Sequence, residues 1–174
     1  MPRIACMWIP DLCLQAHLRM DPQSSTMPVA FSDGNETRGV IVAMTPMAAD
    51  EGIVVGMRVA QARAVSADTV IRPASPEVMD AAMAALADVA SSVSARVEID
   101  EREFVFCECE GTALLWASES ELAGVLVARA ARCGLPVRVG IADCKLGASV
   151  AARESSGVRI VPAGQTQSFL APFP

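Results

Sequence analysis

With 174 residues, the chain is long enough for one domain with a real core, or for a compact domain carrying a small insertion. Hydrophobic residues at 52% and charged residues at 20% exclude a disordered chain, and 11 Gly with 11 Pro exclude collagen-like or linker sequence. A net charge of -6, with 13 Arg and Lys145 as its cations, gives no strong field for free nucleic acid. Arg3 to Ile9 reads as a strand, apolar throughout and closed by Pro10. Asp11 to Met20 reads as a short helix and Asp21 to Thr26 as a polar loop. Val29 to Ser32 and Val40 to Met44 read as two short strands joined through the turn signal Asp33-Gly34-Asn35. Short helices over Pro46 to Glu51 and Gly56 to Val65 follow, then a strand over Thr69 to Arg72.

From Ser75 the pattern lengthens. Ser75 is a good N-cap and Pro76 suits the first helical position. Met79, Met83, Leu86, Ala90 and Val93 then repeat at helical steps, predicting an amphipathic helix. Two strands, Ala95 to Asp100 and Glu103 to Glu110, flank a charged turn. Ser118-Glu119-Ser120-Glu121 is a capping box that opens a helix ending at Gly134. A strand over Pro136 to Ala142, a helix over Lys145 to Ser155 and a short strand over Arg159 to Pro162 complete the pattern. The tail from Gln165 to Pro174 reads as the entrance to a further segment. With residues 10–74 set aside, the order is β-α-β-β-α-β, the ferredoxin-like arrangement of an α+β fold. Its antiparallel sheet would carry both helices on one face. Residues 10–74 are then an insertion after the first strand.

No apolar run has the length of a membrane span, and Met1 to Trp8 lacks the long apolar core and cleavage site of a signal peptide. The six cysteines, Cys6, Cys13, Cys107, Cys109, Cys133 and Cys144, form no C-x-x-C pair and read as reduced core thiols of a cytoplasmic protein. Cys107-Glu108-Cys109 reads as core packing rather than a zinc site, since no second ligand pair exists. His17, the only histidine, has no partner that would make a triad. Arg58 and Arg63 read as a solvated face.

Sheets of this type also form polymerase and cyclase palms. There, carboxylates on adjacent central strands hold two Mg²⁺ ions against a triphosphate. Here the first strand carries no carboxylate before Asp11, and on the hairpin Glu103 faces the same end of the sheet, with Glu108 further on. A two-metal site is therefore not expected.

Arg3-Ile4-Ala5-Cys6-Met7-Trp8-Ile9-Pro10-Asp11-Leu12-Cys13 through Arg19-Met20-Asp21-Pro22 resembles the first-strand motif of Y-family (UmuC/DinB-type) translesion DNA polymerases. Pro28-Val29-Ala30, Gly52, Gly56-Met57, Val97-Glu98, Gly111 and Gly140-Ile141-Ala142-Asp143-Cys144-Lys145 continue the likeness in order along nearly the whole chain. The resemblance implies a palm over residues 1–9 and 75–163, a fingers insertion over 10–74, and the start of a connection to a missing thumb over 164–174. It also implies that the polymerase site is lost. The first-strand carboxylates fall on Trp8 and Pro10, and the hairpin Asp-Glu pair on Glu103 and Phe104. The ring that excludes ribonucleotides falls on Cys13, and the groups that hold the triphosphate on Pro46, Ala49 and Ser149. Lys145 keeps a cation that could still contact DNA. No metal or cofactor is then expected.

The chain is closest to a catalytically inactive branch of that family, which implies a pseudo-polymerase acting as a scaffold in DNA-damage-induced (SOS) mutagenesis. Its implied partners are the sliding clamp, a RecA-like accessory protein and an error-prone replicative-type polymerase, engaged mostly through parts beyond Pro174. A rival reading is a stand-alone ferredoxin-like module that binds a small ligand or a protein. In the resemblance, Trp8 becomes an apolar plug over Phe104 or the stem of Glu103.

Overall fold

The computed structural model describes residues 2–34, 38–100, 103–111 and 115–173. The chain divides into two compact units, one of Met1–Pro10 with Ala82–Pro174 and one of Asp11–Ala81.

The first unit is built on a five-stranded sheet of order β5-β6-β1-β7-β8. Its strands are β1 (Ile4–Trp8), β5 (Val97–Asp100), β6 (Phe104–Glu108), β7 (Arg138–Ala142) and β8 (Val158–Ile160). β1 is central and pairs antiparallel with both β6 and β7. The first four strands thus follow the ferredoxin-like order. Those four strands are antiparallel, as expected, and β8 extends the sheet by pairing with β7 in parallel. The reason is the intervening helix α6 (Lys145–Glu154), which carries the chain back so that β8 runs the same way as β7.

A helix beyond that order, α6, also packs on the sheet. Ile4, Cys6 and Trp8 share one face of β1, and α6 covers it: Ala148, Ala151 and Ala152 pack with Cys6, Phe106 and Ala142. The opposite face carries Ala5, Met7, Val105, Val139 and Ile141, all fully buried. Long helix α5 (Glu119–Arg132) lies against β7 and β8 and buries Leu122, Ala123, Leu126 and Ala130. Its start is capped by Ser118, whose Oγ accepts the Glu121 N–H at 3.2 Å. The Glu121 carboxylate reaches the N–H of Ala117 at 2.7 Å rather than that of Ser118, so the reciprocal half of the box is displaced by one residue. The tail forms helix α7 (Thr166–Leu170), and its Phe169 packs on the Cys6 cluster.

The second unit holds a three-stranded sheet of order β3-β2-β4, with β2 (Val29–Ser32), β3 (Ile41–Met44) and β4 (Val70–Pro73). β2 pairs antiparallel with β3 and parallel with β4. The polar loop expected after α1 (Leu12–Met20) is a 3₁₀ helix, Pro22–Thr26, opened by its proline. Helices α2 (Pro46–Asp50) and α3 (Val59–Val65) are shorter than the sequence suggests, because Gly52 (φ 88°) and Gly56 (φ 87°) take left-handed backbone between them. Ala30, Ile41, Ala48, Ile53, Val59 and Ala62 form one core cluster, and Leu14, Val29, Phe31 and Ala43 another. His17 is structural: its ring sits 4.4 Å from Phe31, Nδ1 donates to the Cys13 carbonyl at 2.7 Å, and Nε2 accepts the Ser75 N–H at 3.1 Å. Helix α4 (Pro76–Ser91) spans the division between the units and is capped by Ser75, whose Oγ accepts the Val78 N–H.

Asn35 of the expected β2–β3 turn, and Glu101 and Arg102 of the β5–β6 turn, lie outside the described residues. The reading of all six cysteines as core thiols is corrected too: Cys6, Cys107 and Cys109 are buried, but Cys133 and Cys144 are exposed. Those two end and begin helices. Cys133 closes α5, and Cys144 caps α6 by accepting the Gly147 N–H on its Sγ at 3.4 Å. Burial pushes the Cys107 thiol up to about 12 and Cys109 to about 11, as expected of inert core sulfur.

Candidate functional site

The site expected at the end of the central strands is built by register. Trp8 is the last residue of β1, and Phe104, the first of β6, stands directly across from it. Arg138 of β7 stands opposite Trp8 on the other side. Residues directly opposite share a face, so all three project toward the α6 side of the sheet. α6 comes unusually close there. A Cβ built on Gly140 would lie 2.1 Å from the Ala148 carbonyl oxygen, so only glycine admits the helix backbone. The small residues Ala148, Ala151 and Ala152 complete that contact.

Close approach brings Arg153, in the last turn of α6, over the two rings. Its guanidinium carbon is 4.9 Å from the Phe104 centroid and 6.0 Å from that of Trp8. Its Nη2 donates to Glu103 Oε1 at 2.5 Å. Arg138 closes the other side, 5.4 Å from the Trp8 centroid, and donates to the Arg153 carbonyl at 3.1 Å, which caps the end of α6. The cluster is half open to water: the Arg153 and Glu103 side chains are 49% and 43% exposed. Each cation–ring contact at such exposure contributes about 0.5–1 kcal/mol, and the ion pair about 0–1 kcal/mol. Trp8 is half-buried and packs, like Phe104, against the Cys6 cluster. A ring at the sheet's end keeps one side toward solvent, and arginines cover it in place of helix.

The donor set does not fit a divalent metal. Mg²⁺ needs several hard oxygen ligands in octahedral array. Here two of the facing groups are aromatic rings without an oxygen ligand, and the carboxylate beside them, Glu103, is already paired with Arg153. Among the described residues no three His, Cys, Asp or Glu gather as metal ligands.

The other expected positions are divided between the two units. Pro10 follows β1 and is half-buried. Ser149 lies on α6, one turn before Arg153, and its Oγ donates to the Leu146 carbonyl. Lys145 begins α6. Its Nζ pairs with Glu98 at 2.6 Å and lies 5.6 Å from the Phe106 ring centroid, so the cation left for DNA is engaged within the sheet face. Cys13, Pro46 and Ala49 belong to the second unit: Cys13 is half-buried on α1, and Pro46 and Ala49 lie on α2.

Arg153 and Arg138 were not legible as site residues. Nothing local marks them. Arg138 is chosen by the β1–β7 register, and Arg153 by the helix approach that Gly140 permits.

Comparisons with known proteins agree with this architecture. The model of the IMS (impB/mucB/samB) family matches residues 8–153. Protein ImuB from two strains of Caulobacter vibrioides, NA1000 / CB15N and ATCC 19089 / CIP 103742 / CB 15, is 34% identical over 123 residues, which are 71% of this chain and 27% of that protein. The post-insertion binary complex of Dbh DNA polymerase matches at TM-score 0.81, and DinB from Sulfolobus solfataricus at 0.78. Both are 17% identical, and each match covers 97% of this chain and 50% of the other. At that identity the two structures speak for the fold. The chain therefore spans half of these polymerase chains and about a quarter of the ImuB proteins. With the central-strand register, the α6 contact and the family match in agreement, the chain belongs to the impB/mucB/samB family and has the palm-and-fingers fold of Y-family DNA polymerases.

Proposed function

We infer that this chain is the palm-and-fingers part of a pseudo-polymerase, a non-catalytic member of its family that serves as a scaffold in DNA-damage-induced mutagenesis and translesion synthesis. One observation carries the reading. At the ends of β1 and β6, where a two-metal palm needs carboxylates, Trp8 and Phe104 face each other beneath Arg153. Phosphoryl transfer of this type relies on metal ions to neutralise developing charge. Indole and phenyl rings supply no oxygen ligand for them. Pro10, Cys13, Pro46, Ala49 and Ser149, which stand at the other positions that the polymerase resemblance assigns to the site, offer no charged group for a triphosphate.

The scaffold role rests on similarity to the ImuB proteins. Its partners would be a sliding clamp, a RecA-like accessory protein and an error-prone replicative-type polymerase, in the cytoplasm. Their contacts would lie mostly in parts of the protein outside these 174 residues. DNA would be touched weakly or indirectly, since Lys145 is already paired.

Calorimetry with a deoxynucleoside triphosphate and Mg²⁺ tests the reading. The expected result is no heat of binding at millimolar nucleotide. A saturable isotherm, or primer extension by the purified chain, would overturn it.

A further inference from the structure

The residues at the end of β1 and β6 do more than omit ligands for a metal; they surround a cation of their own. Arg153 lies over both rings, at 4.9 Å from Phe104 and 6.0 Å from Trp8, and Glu103 accepts its N–H. Two aromatic faces and a carboxylate are the chemistry of a cation cage, because ring quadrupoles and carboxylate charge attract the same ion. A guanidinium suits such a cage better than an ammonium. It is planar, weakly hydrated and charged at every accessible pH. Arg138 ties the Arg153 backbone in place through its carbonyl and lies 5.4 Å from the Trp8 ring centroid.

We propose that Arg153 is the resident cation of this palm: its guanidinium takes the locus of a divalent metal and keeps the site closed to one. The proposal rests on the pseudo-polymerase reading for the identity of the locus and adds the residue that occupies it. Losing the acids and acquiring the arginine are then separate barriers. Restoring acids alone would give Arg153 more carboxylates to pair with. A metal would still have to displace a fixed positive charge a few ångströms away.

Mn²⁺ binding to the purified chain, read by the paramagnetic signal of the free ion, tests this without reference to activity. The double variant W8D/F104E restores acids on both strands and is expected to stay unbound at millimolar Mn²⁺. Adding Arg153→Ala to it is expected to tighten Mn²⁺ binding by about tenfold or more, the scale on which a neighbouring charge shifts an ionic equilibrium. Adding Arg159→Ala instead removes the same charge from a residue that stacks on Phe169, and is expected to gain nothing. Equal Mn²⁺ affinity of the double and Arg153→Ala triple variants would overturn the proposal, and so would a folded triple variant that binds no Mn²⁺.

Should the acid variants not fold, Arg153→Ala in the otherwise unaltered chain decides. Millimolar methylguanidinium is expected to raise the melting temperature of that variant but not of the unaltered chain, by refilling the cage. No differential rescue would count against a caged cation. Failure of the underlying reading looks different: it is Mg²⁺-nucleotide binding by the unaltered chain, which no variant is needed to see.

Discussion

Gly140 shows how one missing methyl group positions the candidate site. It faces α6 from the middle of β7, and a Cβ there would meet the Ala148 oxygen at 2.1 Å and the Ala152 nitrogen at 2.4 Å. Both are backbone atoms of a helix and cannot swing aside. Gly140→Ala should therefore push α6 off the sheet and cost about 3 kcal/mol or more, at the upper end of overpacking. Thermal or urea unfolding of the variant measures it. A loss below about 1 kcal/mol would mean that α6 slides easily, and that the Arg153 placement is not fixed by this contact. Gly147 is a milder case. Its added Cβ would meet the Thr166 methyl at 2.5 Å, a side chain that could adjust only by giving up its bond to Asp143.

Among the elements, the tail helix is the one whose anchoring the structure explains best. Arg3 leads into β1 and is largely buried. Its Nε and Nη2 form a forked pair with Glu119 at 2.6 and 2.7 Å, its Nη1 donates to Asp143 at 2.9 Å, and its Nη2 also donates to the Val161 carbonyl at 2.7 Å. Asp143 in turn accepts the Gly164 N–H and the Thr166 hydroxyl, each at 2.9 Å. One arginine thus joins β1, the first turn of α5 and the end of β8, and Asp143 hands the connection on to α7. A forked, largely desolvated pair of this kind is stronger than a surface ion pair. The hydrogen bond from Arg3, followed by that from Thr166, holds the Asp143 carboxyl below the usual carboxylate range.

A carboxyl depressed in the folded state contributes its stability above the unfolded value, and that stability is lost as pH falls through the folded one. Asp143→Asn should lower the melting temperature at neutral pH. The gap to the unaltered chain should narrow as pH drops below about 4, the ordinary carboxylate value. Melting curves across an acid series check both halves. A gap that stays constant with pH would place the loss in packing rather than in charge.

At the scale of the whole molecule, each unit has its own core, and the cysteines report on them unequally. Cys133 and Cys144 are exposed at helix ends, whereas Cys6, Cys107 and Cys109 are buried in the sheet unit with their thiols pushed well up by burial. Reactivity follows thiolate fraction and access. A thiol reagent at neutral pH should therefore modify Cys133 and Cys144 first, with Cys6, Cys107 and Cys109 reacting only on unfolding. Mass spectrometry of the labelled peptides would read this directly. Early modification of Cys107 would show that the first unit opens locally under native conditions.

Periodicity and punctuation sufficed for much of the fold. The strand before Pro10, the Ser75-capped helix, the Ser118-capped helix that ends at Gly134, and the β-α-β-β-α-β order could all be read from the chain. Each is a local property: apolar alternation, a cap, or a residue that cannot continue a helix. That positions 8 and 104 carry aromatic rings and no carboxylate was legible for the same reason, since residue identity needs no fold. What tertiary structure decided is non-local. β8 joins in parallel because α6 returns the chain, α6 covers the Cys6 face because Gly140 and three alanines let it in, and the tail folds back because Asp143 lies under Thr166. The Arg153 cage is the clearest case. Its members come from β1, the start of β6 and the end of α6, and the sequence distance between Trp8 and Arg153 carries no trace of their contact. Only strand register and helix approach, both set by backbone hydrogen bonds and close packing, bring them together.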